Sequence, residues 1–234
     1  VEFYRDVVVT HAQHEKTLEA LEEILLSGVL TNEIVAILEP IYRSNEQWDR
    51  LLHLWEIQLS KLTDNVERQS LLQRMAELAE HKKAEPTLAF HAWCRALQED
   101  PQNNFAIEEA ERLAQVTGDW KSLANAYEVA KQAIPPENTT AISQLLHRLS
   151  RVQEVELQNL EVTEAVNRQA LQINPADEEA LMVLDRIYMQ QGSWESLSQI
   201  LSQRAHVVSD VDQKIQLWFR LGELYTEKNK NDVE

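Results

Sequence analysis

The sequence predicts an all-α protein in which antiparallel helix pairs stack into a solenoid. Only 4 of the 234 residues are glycine and 6 are proline. That is too few for the turns that a β-sandwich, a barrel or a doubly wound sheet requires. The hydrophobic fraction of 44% is enough for a core, which excludes a largely disordered chain. The third observation is an internal repeat of long period.

A tryptophan in a fixed context marks this repeat. Trp48, Trp120 and Trp194 are each followed by a leucine three positions on, and they stand at nearly equal intervals. A second marker, Ala-Leu-Gln ending in proline, occurs at 96–101 and again at 170–175, with the same spacing as the last two tryptophans. Two independent markers with one spacing establish a repeat, and long periods of this kind are typical of solenoids.

Each repeat unit divides into helices. Apolar residues recur at steps of three and four, as at Leu71, Met75 and Leu78, which is the period of a helix face. We expect a single array over residues 1–234, in which residues 1–31 end a preceding pair. The second helix of the last pair would begin only at about Asp232, so we expect the array to continue beyond this sequence. The helix pairs are predicted to begin near Asn32, Gln69, Asn104, Thr140 and Glu178, with a partial last pair from Ile215.

Local chemistry marks several helix ends. Asp64 and Asp210 precede apolar helical patterns, so they are predicted N-caps. Gly118 and Gly192 lie between the two helices of a pair, where a left-handed residue is needed and glycine adopts it without strain.

The residue types at corresponding positions resemble those of a known family. Trp218, Leu221, Gly222 and Tyr225 stand at the spacing of the tetratricopeptide repeat signature, and the segment 181–192 fits it as well. That repeat is a helix pair of about 34 residues. The resemblance covers nearly the whole chain and is looser in the units that begin near 69 and 140. It implies a right-handed superhelix whose first helices line a concave groove, where protein or peptide partners bind. The half-tetratricopeptide motif and other α-solenoids resemble the pattern nearly as well.

The resemblance also indicates which residues would face the groove. Arginine stands at its ninth position in three successive units, and another arginine follows one turn later. Because arginine binds carboxylates with a planar fork, we expect an acidic partner segment there. The alternative is that Arg112 only pairs with Glu108, four residues before it. Apolar residues further along the predicted groove would contact an apolar anchor side chain of the partner. The candidate partner-binding residues are Arg112, Arg148, Arg151, Arg186, Met182, Met189 and Phe219.

Composition excludes several functional classes. The net charge of −17 opposes binding to nucleic acid or to an anionic membrane surface, and no apolar run is long enough for a membrane span. The single cysteine, Cys94, can form neither an internal disulfide nor a multi-cysteine zinc site. We interpret it as a packed residue. No targeting segment is visible, which favours a cytoplasmic protein.

Motifs for chemistry are missing from the sequence. It has no phosphate-binding glycine loop, nucleophile elbow or zinc-protease motif. His11 and His14 are three residues apart, but no third metal ligand is evident. We therefore expect no catalytic site, no metal and no cofactor. The periodic tryptophans, and Trp55, Trp93 and Trp218 with them, are interpreted as core residues.

The sequence thus favours a protein-interaction scaffold, not an enzyme, that binds a partner segment in the concave groove. Two alternatives stay open. The chain could be a structural spacer or self-assembly module of a larger multidomain protein. It could also be a regulatory domain fused to a catalytic domain outside this sequence.

Overall fold

The structure, a computed structural model, describes residues 15–26 and 30–231, with side chains up to residue 226. Within these residues the chain forms twelve α-helices and one short π-helix, and no β-strand. The prediction of an all-α protein is confirmed. The helices are α1 Glu15–Leu26, α2 Thr31–Ser44, α3 Trp48–Lys61, α4 Asn65–His81, α5 Pro86–Glu99, α6 Asn104–Thr117, α7 Trp120–Ala133, α8 Thr139–Arg151, the π-helix Val152–Glu156, α9 Leu160–Ile173, α10 Glu178–Gln191, α11 Trp194–Val207 and α12 Val211–Asn231.

The chain divides into two compact units between Asp119 and Trp120, and successive helices pack against one another within each unit. In the first unit, α5 packs on both α4 and α6. In the second unit, α11 packs on both α10 and α12 around a common core. Within each unit, successive helices therefore bury their apolar faces against one another, which a single pair could not do alone. None of the described helices is both long and apolar enough to cross a membrane.

The number of residues from the start of one pair's first helix to the start of the next pair's first helix alternates between short and long. The first helices are α2, α4, α6, α8, α10 and α12, and the intervals from α4 to α6 and from α8 to α10 are the long ones. These intervals follow the longer first helices: α4 has 17 residues, and α8, with 13, continues into the five-residue π-helix. Of the remaining first helices, α2, α6 and α10 have 14 residues each and the last, α12, has 21. The long period of the sequence is therefore one short interval plus one long interval.

Two first helices begin one turn before the predicted residues. Helix α4 begins at Asn65, not near Gln69, and α12 begins at Val211, not near Ile215. The first residue buried in α4 is Leu71. The opening turn of both helices is largely solvent-exposed, so it lies outside the buried apolar face from which a helix start is predicted.

Capping residues fix these starts. Asp64 and Asp210 accept hydrogen bonds from the backbone N–H three residues on, at 2.9 and 2.8 Å, which confirms both predicted N-caps. Asn103, Asn138 and Asp177 do the same for α6, α8 and α10. Each cap satisfies a helix N–H that has no partner within the helix, so five successive first helices start at a defined residue.

The predicted glycine ends of α6 and α10 are also confirmed. Gly118 and Gly192 have φ of 73° and 67°, in the left-handed region. There, a side chain with a Cβ would be strained.

The prediction that the tryptophans are core residues is only partly correct. Trp55 and Trp93 are buried. The periodic tryptophans are the first residues of α3, α7 and α11, directly after the turn of a pair, and they are half-buried or exposed. The ring of Trp194 lies over this turn, 3.7 Å from where a Cβ on Gly192 would stand. The three periodic tryptophans therefore mark the start of a second helix and do not lie in the core. Trp218, on α12, is also exposed.

Candidate partner-binding cleft

A cleft of about 520 Å³ opens in the second unit, between the first helices of two successive pairs. One wall is formed by the end of α8 and the π-helix, which contribute Arg151 and Val155. The other wall is α10, which contributes Met182 and Arg186. Three of the predicted partner-binding residues therefore line one cleft. Val155, which is not among the predicted residues, also lines the cleft.

Part of the cleft is apolar and open to solvent. The exposed fraction of Val155 is 57% and that of Met182 is 50%, and Val183 is half-buried beside them. Met189, seven residues further along α10, and Phe219 on α12 are exposed as well. Met182 and Met189 lie on the same face of α10, because seven residues are close to two helical turns.

The π-helix shapes one wall of this cleft. Its last hydrogen bond runs from the N–H of Leu157 to the carbonyl of Val152, five residues back, at 3.0 Å. Such wide turns occur mostly as short insertions and often at functional sites. Here the π-helix carries both Glu154 and Val155 to the cleft.

The Arg186 guanidinium is occupied by a partner within the chain. Its Nε and Nη2 donate to the two carboxylate oxygens of Glu154 at 2.9 and 2.7 Å. This bidentate pair joins α10 to the π-helix across the cleft.

Arg112 has a similar arrangement in the first unit. It donates to Glu80 of α4 at 2.7 Å and to Glu109 of its own helix at 2.6 Å, rather than to Glu108 as the sequence suggested. The hydrogen bond to Glu80, then the one to Glu109, raise the pKa of Arg112 above its ordinary value.

The two pairs are related by the long repeat. The interval from Glu80 to Glu154 equals the interval from Arg112 to Arg186, and both equal the spacing of the two Ala-Leu-Gln markers. Glu80 lies in the last turn of α4 and Glu154 in the π-helix, which are the additional residues of the two long first helices. These residues therefore place a carboxylate beside the arginine of the next first helix.

Sequence reasoning missed these pairs because each glutamate lies in the preceding helix pair, too far along the chain to leave a local signal. The signal that could have found them is the long repeat itself, which matches one glutamate–arginine pair to the other.

The other two predicted arginines differ from these. Arg148 is half-buried and is not without a partner. Arg151 is exposed at the mouth of the cleft. Among the side chains that the structure describes, no carboxylate forms an ion pair with it. Of the four arginines, Arg151 is thus the one whose guanidinium is available.

His147 also lines the cleft. Its Nε2 lies 2.9 Å from Asp177 Oδ2, and its Nδ1 lies 3.1 Å from Glu179 Oε2. Asp177 is buried and also caps α10. The contacts of His147 therefore link α8 to the start of α10. Glu178, by contrast, lines the cleft without an ion pair among the described residues.

The environment of Cys94 does not favour nucleophilic chemistry. Cys94 is buried, and this burial, with a smaller contribution from Asp119, raises the pKa of the thiol to about 12. A nucleophilic cysteine needs the opposite shift. No group of three or more potential metal ligands occurs in the part of the chain that the structure describes, and His11 and His14 lie outside it.

No protein-family model matches the chain, and no curated protein does. Among solved structures, the chain is similar to yeast Tom70, with 11% identity and a TM-score of 0.43 over 97% of this chain and 47% of the Tom70 chain. It is also similar to BtubC (BKLC) from P. vanneervenii, with 12% identity and a TM-score of 0.40 over 90% of each chain. The chain thus spans about half the length of the Tom70 chain.

Proposed function

We propose that this protein is a non-enzymatic interaction scaffold that binds a segment of a partner protein in the cleft of the second unit. The observation that carries the proposal is the convergence of exposed apolar side chains, Val155 and Met182, with the guanidinium of Arg151, which pairs with none of the described carboxylates. Apolar clefts with a few oriented polar groups are the usual form of a recognition site.

An apolar side chain of the partner would enter the cleft between the π-helix and α10. Methionine adapts to different anchors because its side chain is flexible and polarisable. Met189 and Phe219 extend the exposed apolar surface within the same unit. Burial of one leucine-sized anchor contributes about 1.5–3 kcal/mol.

The charge that we propose for the partner is a single carboxylate, placed beside Arg151. Arg186 could bind the partner's carboxylate only by releasing Glu154. That exchange would contribute little binding free energy, because one bidentate pair replaces another. The same holds for Arg112 in the first unit. We therefore narrow the predicted acidic segment of the partner to one acidic residue next to an apolar anchor side chain. We retain the cytoplasm as the proposed location, with which the single free cysteine is compatible.

Photo-crosslinking tests this function. A benzophenone amino acid at position 182 should crosslink one partner segment in source-cell lysate, and the same amino acid at position 129 is the matched control. Val129 is also exposed but lies on α7, away from the cleft. Mass spectrometry of the crosslinked peptide should show an apolar residue beside an acidic one.

Two variants then test the binding residues against the identified peptide. A charge-assisted hydrogen bond contributes about 1.5–3 kcal/mol, so Arg151→Glu should weaken binding by about tenfold or more. Met182→Glu should do the same, whereas Val129→Glu should have no effect. Equal crosslinking from positions 129 and 182, or unchanged affinity of both cleft variants, would refute the proposal.

A further inference from the structure

Helices α4 to α7 are repeated position by position as α8 to α11. The first four begin at residues 65, 86, 104 and 120, and the second four begin at 139, 160, 178 and 194, with the same interval each time. The capping residues Asp64 and Asn103 correspond at this interval to Asn138 and Asp177. Each position of the first set therefore has one equivalent position in the second.

The cleft of the second unit has an equivalent surface in the first unit, between α4 and α6. Glu154 and Arg186, which join the two walls of the cleft, correspond there to Glu80 and Arg112. Each arginine donates to both carboxylate oxygens of its glutamate. The two surfaces are therefore held together in the same way, and the ion pair does not distinguish one from the other.

The side chains beside this shared ion pair differ between the two units. Three exposed residues that carry the proposed function are an arginine, a valine and a methionine. The first unit has a glutamate, a histidine and another glutamate in their places, and these are exposed as well. The equivalent residues are Arg151 and Glu77, Val155 and His81, and Met182 and Glu108.

The side chains of the first unit oppose the partner segment that we propose. A partner carboxylate beside Glu77 or Glu108 would be repelled, because like charges across an interface disfavour binding. Glu77 accepts a hydrogen bond from Gln73 at 2.8 Å, but this amide is neutral and does not compensate the charge. Glu108 forms no ion pair among the described side chains. The first unit therefore lacks both the available guanidinium and the apolar contact of the cleft.

We propose that the second unit alone recognises the partner segment and that positions 151, 155 and 182 determine this specificity. The inference rests on the proposed function, because it concerns the same cleft. The helix starts and the glutamate–arginine pair are common to both units, so the choice between the units depends on the side chains that differ. Transfer of these three side chains should give the first unit a second binding site.

The probe is a peptide of glycine and serine that carries one leucine next to one glutamate, and its twin carries lysine in place of the glutamate. The protein is labelled with ¹³C at the methyl groups of its 3 methionines. Met182 reports on the cleft, and Met75, which is buried in α4, reports on the fold of the first unit. The glutamate peptide should shift the Met182 signal and leave the Met75 signal in place. It should bind about tenfold more tightly than its twin, the effect of one charge-assisted hydrogen bond.

The triple variant Glu77→Arg/His81→Val/Glu108→Met transfers the cleft residues to the first unit and adds a fourth methyl signal. The methyl group at position 108 should respond to the glutamate peptide with an affinity within about tenfold of that at Met182. The control variant Val129→Met also adds a signal, at an exposed position of α7, and this signal should not respond. A new signal at position 108 that stays in place while Met182 responds would overturn the inference and leave the proposed function intact.

The reverse exchange, Arg151→Glu/Val155→His/Met182→Glu, gives the second unit the residues of the first. Fluorescence anisotropy with labelled peptide should show at least about a tenfold loss of affinity, as for the loss of one charge-assisted hydrogen bond. Circular dichroism should show unchanged helix content. Affinity retained in this variant would overturn the inference, because another surface would then bind the peptide. An unshifted Met182 signal in the wild type would instead refute the proposed function, and this inference with it.

Discussion

Cys94 shows how burial controls the chemistry of one side chain. Its thiol lies in the core of the first unit, and its pKa is raised to about 12 because the thiolate would lose its hydration there. An exposed cysteine has a pKa of about 8.5. The folded protein therefore holds the neutral thiol over the pH range in which the unfolded chain loses its proton.

This difference predicts both reactivity and pH dependence. The stabilisation linked to Cys94 is fully present below about pH 8.5 and is lost as the pH rises toward 12. At pH 8, a thiol reagent should label the folded protein at least about a hundredfold more slowly than the denatured protein, since little thiolate is exposed. Urea titrations should show that the free energy of unfolding decreases above pH 9, with a smaller slope in Cys94→Ala. Rapid labelling without denaturant would contradict the buried position.

The N-caps allow a comparison between two aspartates. Asp64 caps α4 at an exposed site, whereas Asp177 caps α10 while buried and also pairs with His147. Asp64→Ala should cost about 1 kcal/mol, the usual value for a cap. Asp177→Ala should cost more, because His147 also loses a partner. Urea denaturation measures both, with Asp64→Asn as the control that keeps a capping oxygen. An equal cost for both alanine variants would show that the contact with His147 adds nothing.

At the scale of helices, ion pairs link successive first helices. Besides the pairs of Arg112 with Glu80 and of Arg186 with Glu154, Arg74 of α4 pairs with Glu39 of α2. Arg220 of α12 pairs with the buried Asp185 of α10, which also binds Arg204. These contacts recur in both units, so we interpret them as fixing how one first helix lies against the next.

A double-mutant cycle on Arg186 and Glu154 tests this interpretation. The arginine is more than half exposed, so solvent screening limits the coupling energy to about 0.5–1 kcal/mol. Each single alanine substitution should destabilise, and the charge exchange Arg186→Glu/Glu154→Arg should recover most of the loss. Thermal unfolding at 50 mM and 1 M NaCl provides the control, since salt should reduce the coupling. A coupling near zero would mean that the pair follows from helix packing rather than supporting it.

The sequence predicts these elements better than it predicts the contacts between them. Local signals located the caps at Asp64 and Asp210 and the glycine ends of α6 and α10, because each depends on a few adjacent residues. The first turns of α4 and α12 are exposed and lie outside the buried apolar faces, and the π-helix departs from the period of an α-helix, so the sequence does not predict them. The arginines of the candidate site were recognised as a periodic feature, yet their glutamate partners lie in the preceding pair. Only the fold brings such residues together.

For the whole molecule, charge is the dominant long-range property. Asp and Glu number 39 against 22 Lys and Arg, so many carboxylates have no basic partner even when every cation is paired. Exposed residues such as Glu108, Glu178 and Glu223 form no ion pair among the described side chains. The folded state concentrates this excess charge more than the unfolded chain does, and the repulsion opposes folding.

Salt should therefore stabilise this protein. The screening length falls from about 30 Å at 0.01 M to about 8 Å at 0.15 M salt, which weakens repulsion between distant carboxylates more than it weakens contact ion pairs. We expect the thermal midpoint to rise by several degrees between 10 and 150 mM NaCl, as measured by circular dichroism at fixed pH. The triple variant Glu108→Gln/Glu178→Gln/Glu223→Gln should start with a higher midpoint at low salt and respond less to added salt. A midpoint that falls with salt would mean that the interhelical ion pairs outweigh the repulsion, and the stability of the fold would then depend on those pairs.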